Sequence, residues 1–121
     1  MISADQIRSV EERRAELERC LGIDNRRIEL QNEEERTQEP NFWDAAESAR
    51  KQLQRVSTLK SWVDDYESVA KGVEDLQLMG EFVAAGVTTE SEYDDLYATV
   101  VEQVEALELR NMLRRKFIDA T

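Results

Sequence analysis

The sequence predicts an all-α fold, an antiparallel helical bundle of three to four helices with a long coiled-coil-like helical hairpin. Three observations support this prediction. One proline and four glycines interrupt 121 residues, apolar residues recur at spacings of three and four, and residues typical of helix ends border the periodic stretches. We therefore expect a single helical domain over residues 1–121, with helices at about 3–21, 24–37, 44–85 and 89–117.

The first helix is predicted from its two ends and its apolar stripe. Ser3, followed three residues later by Gln6, has the form of a capping box. Gly22 is placed to end the helix in a left-handed conformation, which glycine adopts without steric cost. The stripe that should face the core consists of Ile7, Val10, Leu17 and Leu21.

The second helix is expected to begin at Asp24, whose side-chain oxygen suits an N-cap. Ile23 before it and Ile28 after it have the spacing of a hydrophobic staple. Pro40 must end or interrupt this helix, because proline lacks a backbone N–H. The polar residues 32–36 indicate that its last turns are solvated.

The third helix should be the longest, because apolar residues at helical spacing continue from Asp44 nearly to Gly86. Gly72 and Gly80 lie inside this stretch, and each is a place where the helix could bend. The predicted seam consists of Ala49, Leu53, Val56, Leu59, Val63, Tyr66, Ala70 and Val73, continued by Leu76, Met79, Phe82 and Val83.

A fourth helix is expected after a short turn, where Thr89 and Glu92 have the form of a second capping box. Such a short connection requires this helix to run antiparallel to the third. The hairpin alone would leave Trp62, Phe82 and residues 100–101 in water, so the first two helices should pack against it. The seam of the fourth helix consists of Tyr93, Leu96, Tyr97, Val100, Val104, Leu107 and Met112.

The balance of charge favours a basic partner. Sixteen basic residues against 27 acidic ones give a net charge of −11. We therefore expect no binding to anionic membranes, and weak or absent direct binding to nucleic acid. A high net charge also serves solubility, so it does not identify the partner by itself.

Cysteine usage and hydropathy indicate a cytoplasmic protein. Cys20 is the only cysteine, which excludes an intrachain disulfide. The first ten residues carry Asp5 and Arg8 and no apolar run, so we expect no signal peptide of the usual kind. No stretch approaches the roughly 20 apolar residues that a membrane-spanning helix needs.

The residue inventory predicts no enzyme, no cofactor and no metal site. Histidine is absent, which removes the commonest general base and nearly all zinc sites. The glycines are too far apart for a phosphate-binding loop. Cys20 lies beside Arg19, which could lower the pKa of its thiol, but without a histidine or cysteine partner a structural or idle thiol is favoured. The sequence assigns no catalytic residue and leaves the partner-binding residues unknown.

Two other features have competing interpretations. The basic groups at 13–14, 26–27 and 114–116 are typical of ordinary helix-end charge, and phosphate contact is the less favoured alternative. The aromatic pair Phe42–Trp43 follows Pro40 in a predicted loop, where large aromatic side chains require a reason. We favour a plug between the second helix and the hairpin, with Asn41 or Asp44 capping the next helix. The alternative is an exposed aromatic anchor for a partner.

Five short stretches match a known family in order and spacing. They are Leu-Gly-Ile-Asp at 21–24, Glu-Leu at 29–30, Pro-Asn-Phe-Trp-Asp at 40–44, Lys-Ser-Trp-Val-Asp-Asp-Tyr at 60–66 and Glu-Leu-Arg-Asn-Met-Leu-Arg at 108–114. The loop-borne Pro-x-Phe-Trp step is the most distinctive of them. Together they resemble the N-terminal domain of bacterial peptide chain release factor 2, a PCRF-type helical domain.

The resemblance implies a cytoplasmic domain that helps a class I translation termination factor engage the ribosome, towards the stalk base of the large subunit. In that family a Ser-Pro-Phe tripeptide reads the stop codon and a Gly-Gly-Gln motif serves hydrolysis of peptidyl-tRNA, both in later domains. Neither motif occurs here, since the only proline, Pro40, stands between Glu39 and Asn41, and no two glycines are adjacent. The expected function is therefore ribosome interaction without catalysis.

The alternative function is that of a free-standing helical scaffold or coiled-coil adaptor. Such a protein would dimerise through its long hairpin, using the stripe that contains Tyr66 and Val73. We expect a monomer for the release-factor domain and a dimer for the adaptor.

Overall fold

The structure, a computed structural model, describes the backbone of residues 2–119 and the side chains of residues 2–116. Within this range α1 is Ala4–Leu21, α2 is Ile23–Arg36, α3 is Ala46–Ala84 and α4 is Glu90–Asp119. One turn of 3-10 helix, Phe42–Asp44, lies between α2 and α3. The described residues contain no strand, and the all-α prediction is confirmed. Residues 1, 120 and 121 of the predicted domain lie outside the described part.

Helices α1, α2 and α4 all run antiparallel to α3. Near the start of α1, Glu11 accepts a hydrogen bond from Gln77 at 3.1 Å, whereas near its end Glu18 accepts one from Tyr66 at 2.8 Å. Helix α2 continues in the same direction along the N-terminal half of α3. Helix α4 packs along α3 from the hairpin turn and also contacts α1. The result is a helical bundle with α3 at its centre.

The core lies where α1, α3 and α4 meet. With 39 residues, α3 is about 58 Å long at 1.5 Å per residue. Because three helices contact it, its buried face is wider than the seam of a two-stranded coiled coil and includes Trp62, Val69 and Leu76. The buried cluster consists of Val10, Leu17, Leu21, Ile23, Trp62, Tyr66, Val69, Val73, Leu76, Val100, Val104 and Leu107.

Three predicted seam residues are exposed to solvent. Leu53 and Phe82 are each 41% exposed and Met112 is 58% exposed. They lie towards the ends of α3 and α4, where fewer helices surround the chain. The prediction was wrong there because helical spacing identifies an apolar stripe but not how far its partner helices extend.

The ends of α1 and the start of α2 agree with the prediction only in part. The capping box is present, with Gln6 N–H donating to Ser3 Oγ at 3.1 Å and Ser3 N–H to Gln6 Oε1 at 2.8 Å. Gly22 has the left-handed φ of 57°. The predicted N-cap at Asp24 is wrong, because α2 begins at Ile23 directly after this glycine. There is no staple either, since Ile23 is fully buried in the core and Ile28 is 59% exposed.

The glycines inside α3 mark close helix packing, because α3 runs through both without a break. A Cβ atom at position 72 would lie 3.2 Å from Val100 Cγ2 and 2.8 Å from Gln103 Oε1. A Cβ atom at position 80 would lie 2.9 Å from the hydroxyl of Tyr93. Both glycines therefore let α4 approach the backbone of α3.

The α3–α4 turn is a Schellman motif. Gly86 has a φ of 76° and donates to the carbonyl of Val83 at 3.0 Å, while Val87 donates to that of Phe82 at 2.9 Å. At the start of α4, Glu92 N–H donates to Thr89 Oγ1 at 3.2 Å, which is the first half of the predicted capping box. The second half is replaced, because the carboxylate of Glu92 accepts a hydrogen bond from Thr88.

Candidate partner-binding site

Residues 37–45, which we call the aromatic turn, connect α2 to α3. Helix α2 ends where the hydroxyl of Thr37 donates to the carbonyl of Glu34 at 2.6 Å. Pro40 follows, and because it lacks an N–H the helix cannot continue through it. Phe42 N–H then donates to the carbonyl of Glu39 at 3.1 Å and begins the 3-10 turn. The backbone thus presents Phe42 and its neighbour at the far end of the α2–α3 pair.

The two aromatic rings of this turn contact each other. Phe42 and Trp43 form an edge-to-face pair with their ring centroids 4.8 Å apart and their planes at 85°. Phe42 is half-buried, at the edge of a groove that is also lined by Arg36, Ala45 and Gln52. Trp43 is 67% exposed. The half-buried phenylalanine therefore supports an exposed indole ring.

The predicted plug is wrong for Trp43, which is exposed, whereas Phe42 is half-buried at the groove between α2 and α3; the predicted cap is also wrong. Near this groove Ala49 is 3% exposed, and Gln52 donates a hydrogen bond to Glu33 across α2 and α3. The N-cap of α3 is Ala45, and neither Asn41 nor Asp44 makes a side-chain capping bond. The exposed-anchor alternative matches the observed position of Trp43.

Charged side chains of both signs surround the aromatic turn. Arg36 pairs with Glu33 at 3.9 Å, where the glutamate side chain is only 13% exposed, and Arg50 pairs with Glu47 at 3.1 Å at the surface. An exposed pair such as Arg50–Glu47 contributes little to stability, typically below ~1 kcal/mol. A large aromatic ring with a polar rim is the usual composition of a binding hot spot. The site is therefore suited to docking against another macromolecule.

Cys20 is half-buried beside an acid, which is a different environment from the one expected. Its Sγ lies 3.1 Å from Glu16 Oε1. The hydrogen bond to Glu16, followed by burial, raises the pKa of the thiol, and the opposing effect of Arg19 is smaller. Arg19 acts on this pKa in the expected direction, but the effects of Glu16 and of burial outweigh it, and Glu16 also pairs with this arginine. The thiol is poorly suited to act as a nucleophile.

Among the described residues, three of the seven basic side chains in the groups at 13–14, 26–27 and 114–116 pair with carboxylates. Arg13 pairs with Glu108 at 2.5 Å, Arg14 pairs with two glutamates of its own helix, and Arg27 pairs with Glu67. Arg26 and Arg114 differ, because neither has a carboxylate within 4.0 Å among the described residues. Both guanidinium groups lie instead near the ring of Trp62, together with that of Arg110. Sequence reasoning missed this cluster, although the spacing of four between 110 and 114 places both on one helix face.

Comparison with known proteins shows a similarity to peptide chain release factors. Over 103 residues it is 29% identical to peptide chain release factor 2 of Staphylococcus haemolyticus and 27% identical to that of Mycolicibacterium smegmatis. These alignments cover 82% and 84% of this chain. The chain is similar to peptide chain release factor 2. No family model matches it, and no solved structure does.

The similarity to release factor 2 relates the chain to translation termination factors and covers a limited part of them. The chain spans 27–28% of the length of these two release factors. In the described part of the chain, no helix is long and apolar enough to cross a membrane. Among the same residues, no three His, Cys, Asp or Glu side chains are grouped as metal ligands.

Proposed function

We propose that this chain is a ribosome-interaction domain of a class I peptide chain release factor, that it works in the cytoplasm and that it is not catalytic on its own. The observation that carries the proposal is the similarity to two release factor 2 proteins over 103 residues, more than four fifths of the chain. The all-helical fold agrees with the helical domain that the resemblance implies.

The sequence supports the non-catalytic part of this proposal. It contains neither Ser-Pro-Phe nor Gly-Gly-Gln, the motifs that the resemblance assigns to codon reading and ester hydrolysis. It also contains no histidine to serve as a general base. Binding to the ribosome is therefore the activity we assign to it.

The aromatic turn is the surface we assign to ribosome contact. Trp43 offers the largest exposed aromatic ring of the described residues, and Phe42 holds it in place. The net charge of −11 favours a basic protein at the large-subunit stalk base over direct contact with nucleic acid. A tryptophan that becomes buried at an interface is typically worth ~2 kcal/mol or more.

The test is cosedimentation of the 121-residue chain with ribosomes at low salt. We expect binding by the unaltered chain and a loss of roughly 30-fold in affinity for Trp43→Ala, which corresponds to ~2 kcal/mol. Phe82→Ala is the matched control, because it removes an exposed aromatic ring at the opposite end of α3. Failure of the unaltered chain to bind would refute ribosome interaction, and equal losses in both variants would refute the assignment of the surface. Release of a peptidyl-tRNA ester by this chain would refute its non-catalytic role.

The adaptor alternative finds less support in the packing. The hairpin stripe that a dimer would use is covered within the chain, with Tyr66 at 3% exposure and Val73 at 1%. A second copy would have to displace α1 or use another surface. Sedimentation equilibrium distinguishes the two functions. We expect a monomer for the release-factor domain, and a stable dimer would favour the adaptor.

A further inference from the structure

Three arginines from two helices surround one tryptophan at the junction of α1 and α2. The guanidinium carbons of Arg110, Arg26 and Arg114 lie 3.7, 5.3 and 5.7 Å from the centroid of the Trp62 ring. The tryptophan itself is 6% exposed, and the three arginines are half-buried. The aromatic ring attracts each cation, which explains how the cluster holds together.

The cluster carries an excess of positive charge. Arg110 pairs with Asp65 and lies 3.4 Å from the carbonyl of Ser61. The other two arginines use neutral acceptors, since Arg26 Nε donates to the carbonyl of Leu21 at 2.6 Å and Arg114 donates to the side chain of Asn111 at 2.8 Å. Among the described residues, three guanidinium groups thus face a single carboxylate. Two positive charges remain without a partner in a chain whose net charge is −11.

Two further observations show that the surroundings of these groups are electrostatically unfavourable. Arg114 Nε is buried and has no hydrogen-bond partner among the described residues, which is unfavourable for a charged donor. Burial lowers the pKa of Arg26, and the charges of Arg114, Arg110 and Arg55 lower it further. A bound anion would offset the mutual repulsion and supply the missing acceptor.

We infer that Arg26, Arg110 and Arg114 form a binding site for a phosphate group. The guanidinium fork binds oxyanions through paired N–H groups, and stacking on Trp62 holds these forks in place. Inorganic phosphate suits the cluster better than a carboxylate does, because it offers more acceptor oxygens and the charge of its dianion equals the local excess. A phosphodiester of an RNA backbone carries one negative charge and would offset half of that excess. The ligand is either free phosphate or a phosphate group of an RNA backbone, and the experiment below distinguishes the two sources.

The first experiment is a titration with inorganic phosphate. It uses the Trp43→Phe variant, in which Trp62 is the only tryptophan. Ionic strength is held constant with sodium chloride. We expect a saturable change in Trp62 fluorescence that chloride alone does not produce. In the same background, Arg26→Gln with Arg114→Gln should weaken phosphate binding roughly tenfold or more, because two charge-assisted contacts are lost.

A charge-matched control uses two arginines that flank the aromatic turn. Arg36→Gln with Arg50→Gln removes the same net charge at a distance from Trp62, so phosphate affinity should stay within about twofold. Circular dichroism checks that each variant is folded. If the Arg26 and Arg114 glutamine variant unfolds, lysine at both positions keeps the charge but not the fork, and binding should still weaken. Absence of a saturable response, or equal weakening by the control pair, would overturn the inference.

A short RNA oligonucleotide then identifies the source of the phosphate group. If the site accepts an RNA backbone, the oligonucleotide should compete with inorganic phosphate, and the Arg26 and Arg114 substitutions should weaken both ligands. If the site accepts only free phosphate, the oligonucleotide should leave the phosphate titration unchanged. Either result supports a phosphate site, provided that the first titration is saturable.

Discussion

Substitution of Gly72 by alanine tests whether this glycine is required by the packing of α4 on α3. The added methyl group has two opposite effects. It should stabilise the helix by ~1 kcal/mol, because alanine loses less backbone entropy than glycine does. It also places a carbon 3.2 Å from Val100 Cγ2 and 2.8 Å from Gln103 Oε1. These two neighbours differ in how far they can move.

Val100 determines the sign of the effect. It is 1% exposed, and a β-branched side chain in a helix has essentially one rotamer, so it can yield only if the helices separate. Gln103 is half-buried, and the end of its side chain can swing away. Overpacking of this kind typically costs ~1–3 kcal/mol. Gly72→Ala should therefore destabilise the fold by a net ~1 kcal/mol.

The assay is urea denaturation followed by circular dichroism, arranged as a double-mutant cycle. Val100→Ala alone should cost ~2 kcal/mol through lost burial and a cavity. In that background Gly72→Ala should become stabilising by ~1 kcal/mol, because the obstacle is gone. The coupling energy should therefore be ~2 kcal/mol.

A second mutant background distinguishes the contribution of Gln103 from that of Val100. In Gln103→Ala, the effect of Gly72→Ala should remain close to its value in the unaltered chain. If Gly72→Ala has the same effect with and without Val100, the close approach of the helices is not what requires glycine here, and the reasoning is refuted.

The other predictions concern core burial, acid sensitivity and the hairpin turn. Leu107→Ala should lower the free energy of unfolding by ~2–4 kcal/mol, whereas Leu109→Ala, at a position 51% exposed, should change it by less than ~0.5 kcal/mol in the same urea assay. Hydrogen bonds from Tyr66 and then Arg14 lower the folded-state pKa of Glu18 from 4.5, so its contribution to stability is present above pH 4.5 and is lost as the pH falls through the lower, folded-state pKa. Glu18→Gln should therefore show a smaller loss of stability on acidification, and identical pH profiles would contradict this. Gly86→Ala should cost ~1 kcal/mol by thermal melting, because alanine is strained at a φ of 76° and no contact within 4 Å compensates.

Helix identity and several helix ends were predictable because their causes are local. The hydrogen bonds of the Ser3–Gln6 box span three residues, and the left-handed glycines at 22 and 86 need no distant partner. The start of α2 was misplaced by one residue, because Gly22 serves both helices and leaves no separate N-cap at Asp24. Local signals of this kind can be read from a short window of sequence.

The candidate sites were less predictable because they depend on distant residues. Trp43 and Trp62 are the same residue type, yet one is 67% exposed and the other 6% exposed. Trp43 lies in the connection between α2 and α3, whereas Trp62 lies where α2, α3 and α4 converge. The arginine cluster depends on contacts between residues 26, 62 and 110, and no local pattern indicates that these meet.

The sequence by itself therefore determined the all-helical class, the antiparallel hairpin and the absence of histidine, because apolar periodicity, short connections and composition can all be read without knowing which distant residues meet. Only the tertiary structure decided which aromatic ring is free for a partner, which glycines are packing contacts and which arginines lack a carboxylate. The physical reason is that burial and charge pairing depend on how far each helix extends past its neighbours, and the packing of all four helices sets that extent at once.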